Sequence, residues 1–196
     1  MARTKHRLRP ADRRALIEDA AARLFAERGY AAARLDDIAA AANVTKPMLY
    51  RHFASKRALH LTLLTKHRDE LFAQVIEHVT PEEPMQPQLH AILDAWFGYV
   101  EQNPYAWKML FRDTTGDPEI QAFHLELHAS ARSLLTTLIR PDEIDLPQQE
   151  IEPLAEIVRS ATTGLALWWL EHRDTPRQIL VDAMTRVIAG LIQSPR

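Results

Sequence analysis

Residues 35–53, LDDIAAAANVTKPMLYRHF, constrain this chain more than any other stretch, because they spell a helix, a tight turn and a second helix. Leu35, Ile38, Ala39 and Ala42 recur at i, i+3, i+4 and i+7, which draws one apolar stripe along a short helix. Asn43 ends that helix, since Asn is one of the few residues with a Cβ that tolerates a left-handed C-cap. Thr45 stands where a side chain accepts a backbone N–H from the next helix, and Pro47 falls in the first turn, where a missing donor costs nothing. Leu49 and Phe53, four apart, turn inward together. Pro47 and Arg51 then point furthest from them, with Met48 and Tyr50 on the flanks. Two short helices joined this way have the geometry that lays a recognition helix in a DNA major groove.

Charge points the same way. Residues 1–57 hold 13 Lys/Arg against 6 Asp/Glu, and the remainder holds 11 against 20, an asymmetry hidden by the net charge of −2. A basic first third beside an acidic remainder suits a polyanion-binding head on a separate body. At 196 residues, 46% of them hydrophobic, the chain is long enough to bury a real core. It has no cysteine, hence neither a disulfide framework nor a thiolate metal site.

The expected fold is all-α: an N-terminal three-helix helix-turn-helix domain over residues 1–56 and a C-terminal helical ligand-binding and dimerisation domain over 57–196. Leu16, Ile17, Ala20, Ala21, Leu24 and Phe25 form the core stripe of a first helix closed by Gly29. Ser55 caps a longer helix carrying Leu64, Leu71, Val75 and Val79. Residues 80–87, with three prolines, read as a linker before a helix near 88–102. Asn103-Pro104 and Asp117-Pro118 each pair an N-cap residue with a proline at N1. After a second proline-bearing loop at 140–149, one helix carries Ile151, Leu154, Val158, Ala161, Leu165 and Trp168. The last is opened by a capping box at 175–178 and carries Ile179, Leu180, Val187, Ile188, Leu191 and Ile192.

The run IAAAANVTKPMLYRHFASKRAL, with FAERGY upstream, resembles the DNA-binding domain of TetR-family one-component transcriptional regulators. The likeness covers about the first 60 to 65 residues and is loose beyond them, through FRDTTGDPE and GLALWWLEHRDTP. It implies that Thr45, Tyr50, His52 and Lys56 touch phosphates, while Lys46, Pro47, Met48 and Arg51 lie nearest the base edges. The chemistry agrees. Arg51 can fork onto guanine O6 and N7, Lys56 offers a point charge, and Pro47 and Met48 suit a thymine methyl. Two positions depart from the family pattern: Asn43 stands where glycine is usual, and Ala33-Arg34 stand where a Ser or Thr cap is usual. Asp36 and Asp37 in the first turn partly compensate through the helix dipole. Arg34 either reaches a phosphate or is simply solvated. The tail residues Arg3, Lys5, Arg7 and Arg9 form either a solvated arm or one that enters the minor groove.

The resemblance also implies a small-molecule pocket in the body and a two-fold dimer. Most large aromatics fall there, and Trp96, Trp107, Phe111, His128 and Trp168 are the candidate ligand-binding residues, with His90, Arg112 and His124 as further polar groups. Adjacent apolar pairs such as Ile179-Leu180 and Val187-Ile188 make the last helix apolar on two sides. Burial against both its own body and a second copy through the last two helices is expected. His124 and His128 share a helix face, but no third ligand has matching spacing, so no metal and no cofactor are expected.

The function expected is therefore sequence-specific binding of a palindromic double-stranded operator by a homodimer, most simply a repressor released by a small, largely apolar effector. A ligand-dependent activator is the alternative. A small helical enzyme or carrier with a vestigial head is weaker: no G-x-S-x-G, phosphate-cradling glycine loop, H-E-x-x-H or cysteine nucleophile is present. A nonspecific nucleic-acid-packaging protein fits the acidic body poorly. The charged N-terminus without an apolar h-region argues against a signal peptide. The apolar run at 164–170 is too short to span a bilayer, so no membrane association and a cytoplasmic location are expected.

Overall fold

Every element that the apolar periodicities predict is helical in the computed structural model, which describes residues 9–112, 116–139 and 147–193, with side chains as far as Leu191. Arg3, Lys5 and Arg7, residues 140–146 of the second loop and the side chain of Ile192 lie outside the described residues. The helices are α1 (Pro10–Ala32), α2 (Leu35–Ala41), α3 (Lys46–Tyr50), α4 (Lys56–Ile76), α5 (Met85–Gln102), α6 (Pro104–Phe111), α7 (Pro118–Leu138), α8 (Gln148–Trp169) and α9 (Arg177–Gln193).

The turn between α2 and α3 forms as the sequence dictates. Asn43 has φ 52, and the N–H groups of Asn43 and Val44 donate to the carbonyls of Ala40 and Ala39, at 3.1 and 2.9 Å. That is a Schellman closure with Asn in the glycine position. Thr45 then accepts from the Met48 N–H at 3.4 Å, and Ser55 caps α4 by accepting from Ala58 at 3.0 Å. Gly29, at φ 77, breaks α1 where its closure was expected, and one further turn runs on to Ala32.

Three expectations about element ends are corrected by side chains that found other partners. The linker is shorter than residues 80–87, because α5 starts at Met85 with Pro87 inside its first turn. Buried Gln88 makes this possible, accepting from the Thr80 N–H and donating to the carbonyls of Thr80, Glu83 and Pro84. Asn103 does not cap α6; its amide donates back to the Tyr99 carbonyl at 3.1 Å and closes α5 instead. The capping box at 175–178 is replaced too, since the Thr175 N–H donates to the His172 carbonyl and the Gln178 amide to Asp182. Asp117 does cap α7, accepting from the N–H groups of Glu119 and Ile120.

Two large cores and a smaller cluster of Val75, Met85 and Ile92 organise the described residues. In the first, Ile17, Leu24 and Phe25 of α1 meet Ile38 of α2, Leu49, Phe53 and the first half of α4; Met109 and Leu110 of α6 and Ile120, Phe123 and Leu127 of α7 join the same cluster. The second gathers Leu93, Phe97 and Val100 of α5, Trp107 of α6, Trp169 of α8 and Leu180, Val181, Met184 and Ile188 of α9. Helices α5 and α9 are clamped by Arg177, whose guanidinium meets Asp94 at 3.0 Å and Glu101 at 2.9 Å. Gly98 leaves room for that clamp: a Cβ there would stand 3.3 Å from the Arg177 Nη1.

His60 of α4 sits inside the first core, with its ring 4.5 Å from Phe25 and 5.0 Å from Tyr30. Burial pushes its imidazole down to about 3, with His124 and Lys56 pushing further the same way and Asp117 opposing them. The unfolded chain takes up that proton near 6.5 and the folded chain does not. Stability is therefore full above 6.5 and falls by up to about 1.4 kcal/mol per pH unit as pH drops toward 3. Urea titrations between pH 7 and 4 check this, and His60→Leu should flatten the dependence.

Candidate DNA interface and ligand cavity

Helix α3 is fixed from behind and open in front. Leu49 and Phe53 are buried, at 0% and 4% exposure, so the register of α3 against α1 and α4 is set by packing. Tyr50 is 48% exposed, and Thr45, Lys46, Pro47 and Arg51 are exposed beside it, with Met48 and His52 half-buried. All seven residues, singled out in the sequence as contacts, are at least partly exposed. Lys46 is not loose: its ammonium is held by Asp36 of α2 at 2.9 Å. Arg34 is exposed at the start of α2 and offers no side-chain cap there. Asp37, in the same turn, pairs with Arg28 at 2.7 Å.

Lys56 does not present the free charge expected of it. Its ammonium lies in the concave end of α1, donating to the carbonyls of Tyr30, Ala31 and Ala33 at 2.7, 3.2 and 3.1 Å, and over the Tyr30 ring at 4.4 Å. The kink at Gly29 turns those carbonyls toward α4, and a cation is the group that satisfies them. Lys56 thus joins α1 to α4.

In the body a cavity of about 140 Å³ opens among α4 to α9. Its wall is almost wholly apolar. Leu71, Phe72 and Val75 come from α4, Leu89, Leu93 and Trp96 from α5, Trp107 and Phe111 from α6, Leu134 and Leu138 from α7. Trp107 is the centre of an aromatic cluster, edge-to-face with Trp96 at 4.7 Å and tilted against Phe111 at 4.1 Å between ring centroids. Three of the five candidate ligand residues therefore meet. The other two do not line the cavity. His128 is turned aside, accepting from Arg159 at 3.1 Å, and burial followed by Arg159 holds its imidazole below the ordinary value. Trp168 points outward, 45% exposed, stacked on His172 at 4.1 Å; its neighbour Trp169 takes the buried position and donates to the Thr175 carbonyl. His90 is tied to Asp182 at 3.3 Å and Arg112 to Glu171 at 3.1 Å, both at the surface. Among the described residues no three His, Cys, Asp or Glu side chains stand together as a metal site.

Residues 17–63 match the model for bacterial regulatory proteins of the tetR family, and residues 84–191, more than half of the chain, match that for the tetracyclin repressor-like C-terminal domain. The chain belongs to the TetR family. Over 121 residues it is 35% identical to the HTH-type transcriptional activator FasR of Mycolicibacterium smegmatis, covering 61% of this chain and 55% of that protein. Over 81 residues it is 38% identical to the HTH-type transcriptional repressor KstR2 of Rhodococcus jostii, covering 41% of this chain and 40% of that protein. This chain thus spans less than two thirds of either relative. A TetR-like transcriptional regulator from Rhodococcus sp. RHA1 shares the fold, with a TM-score of 0.81 over 96% of this chain and 100% of that one at 23% identity.

Within this TetR-family fold, two helices connect the cavity to the DNA-facing unit. On α6, Trp107 and Phe111 wall the cavity, while Met109 and Leu110 pack in the first core with α1. On α4, Leu71 and Val75 wall the cavity, while Leu59, Leu63 and Leu64 support α1 and α3. Sequence reasoning missed Arg159 in the cavity wall and Asp36 beside Lys46. Arg159 stands one residue past Val158 on the α8 stripe, a position a stripe count assigns to the surface. The sequence marks Asp36 only as a helix-dipole charge, and its ten-residue separation from Lys46 carries no helical signal.

Proposed function

We propose that this TetR-family chain is a homodimeric, sequence-specific regulator that leaves a palindromic operator when a small, largely apolar effector fills the cavity. Residues up to 56 serve as the DNA-binding head and the rest as the sensing and dimerising body. The observation that carries the reading is α6, one short helix shared by the cavity wall and the core behind the head. A ligand that fits only with α6 or α4 displaced shifts the population toward a head arrangement that no longer matches the two half-sites.

In the complex Arg51 reads a guanine, Lys46, Pro47 and Met48 lie against neighbouring base edges, and Thr45, Tyr50, His52 and Arg34 hold phosphates. The dimer is built on α8 and α9, where Ile157, Trp168, Ile179, Val187 and Leu191 are all exposed while Leu180 and Ile188 beside them are buried. Function is binding, not catalysis, and the place of action is the cytoplasm; no helix among the described residues is long and apolar enough to cross a membrane. The likeness to FasR, named as an activator, favours a second reading in which the bound dimer recruits transcription instead of blocking it.

Selection of binding sequences from a random duplex library by the full-length protein tests the proposal. A palindrome with half-sites about 10 bp apart, or a multiple of that turn, is expected. Arg51→Ala should relax preference at one base pair per half-site, at a cost of ~1–3 kcal/mol. Recovery of no motif, or an Arg51→Ala preference identical to the wild type, overturns it.

A further inference from the structure

The two carboxylates in the first turn of α2 serve opposite neighbours. Asp37 turns back to α1 and takes Arg28 at 2.7 Å. Asp36 reaches across the turn to α3, where its two oxygens take the Lys46 ammonium at 2.9 and 3.2 Å. Lys46 opens α3, a helix whose register is fixed by buried Leu49. What stays free in such a lysine is its flexible four-carbon stem, and Asp36 pins the far end. The hydrogen bond to Asp36, and then its charge, hold the Lys46 ammonium above the ordinary lysine value.

Both side chains are about half exposed, at 46% and 53%, so the pair contributes little to stability. On a surface that meets a polyanion, a carboxylate also costs affinity toward every sequence alike. What it can add is a difference between sequences. A lysine free to swing is drawn to a phosphate, which carries no sequence information, whereas a tethered one offers its remaining donors in one direction. We propose that Asp36 is a positioning residue for operator specificity, holding Lys46 off the phosphates and aiming it at guanine O6 and N7 in the major groove. This rests on α3 being the recognition helix of the proposed regulator.

Library selection with the full-length wild type, Lys46→Ala, Asp36→Ala and Asp37→Ala, followed by salt titrations on the selected duplex, is the test. Lys46→Ala marks the base pair that Lys46 reads, and Asp36→Ala should lose preference at that same pair by about tenfold. The released ammonium then reaches a phosphate, so the slope of log affinity against log salt should steepen by about 0.9. Asp37→Ala removes the same charge from the same turn but leaves Lys46 held, and should keep the wild-type preference. Binding is read below the unfolding midpoint given by circular dichroism. Asp36→Asn, of the same size, should act in the same direction and replaces Asp36→Ala if that variant does not fold. Asp36→Ala keeping the preference that Lys46→Ala loses overturns the positioning role. Equal changes in Asp36→Ala and Asp37→Ala also overturn it, since they report only charge or helix dipole. Lys46→Ala with wild-type preferences overturns this inference while leaving Arg51 and the regulator reading in place. A wild type that selects no motif overturns both.

Discussion

Lys56→Met should lower the unfolding free energy by ~3 kcal/mol while leaving the salt dependence of operator binding unchanged. The estimate follows from three carbonyls losing one cationic donor, each such bond being worth about 1.5–3 kcal/mol, discounted because the site is partly open to water. A phosphate-contacting lysine predicts the reverse pattern: stability intact and a salt slope smaller by about one unit. Urea denaturation and a titration of binding against salt, below the midpoint for unfolding, separate the two. Unchanged stability with a reduced slope would return Lys56 to the DNA surface and make its carbonyl contacts incidental. The distances of 2.7 to 3.2 Å to three carbonyls, with the Tyr30 ring below, favour the structural role.

Val187→Arg should yield a helical monomer whose operator affinity is lower by about a hundredfold or more. Val187 is 51% exposed on α9, beside buried Ile188, so the substitution places a charge on the outer face without touching the core. A desolvated, unpaired charge at the centre of a two-fold interface is met twice, once from each copy. Separating the heads removes the gain of binding two half-sites at once, which is worth roughly 10²–10⁴ in affinity. Sedimentation and circular dichroism read the assembly and the fold separately. A dimer with unchanged operator binding would place the interface elsewhere than on α8 and α9.

Local chemistry made the helix-turn-helix legible. Asn43, Thr45, Pro47 and Ser55 act within four residues of their own positions, and Leu49 and Phe53 follow a single helical period; such signals survive whatever the rest of the chain does. The ends of α5 and α6 were less legible because Gln88 bonds backbone groups of the preceding linker, and Asn103 donates back to Tyr99 instead of capping α6. The aromatic cluster was visible as composition, but which tryptophan would face the cavity was not. Trp168 and Trp169 are adjacent, and a shift of one residue is about 100° of helix rotation. Packing of α8 against α9 and α5 decided between them.

The sequence by itself determined an all-helical chain with an N-terminal helix-turn-helix, because helix periods and caps are properties of neighbouring residues. Tertiary structure alone decided that Lys56 closes α1, that Asp36 holds Lys46, that Arg159 meets His128, and that Trp107 is buried in the wall of an apolar cavity. Each of these depends on groups far apart in the chain or on which of two adjacent faces packs inward, and only the folded core fixes distances of that kind.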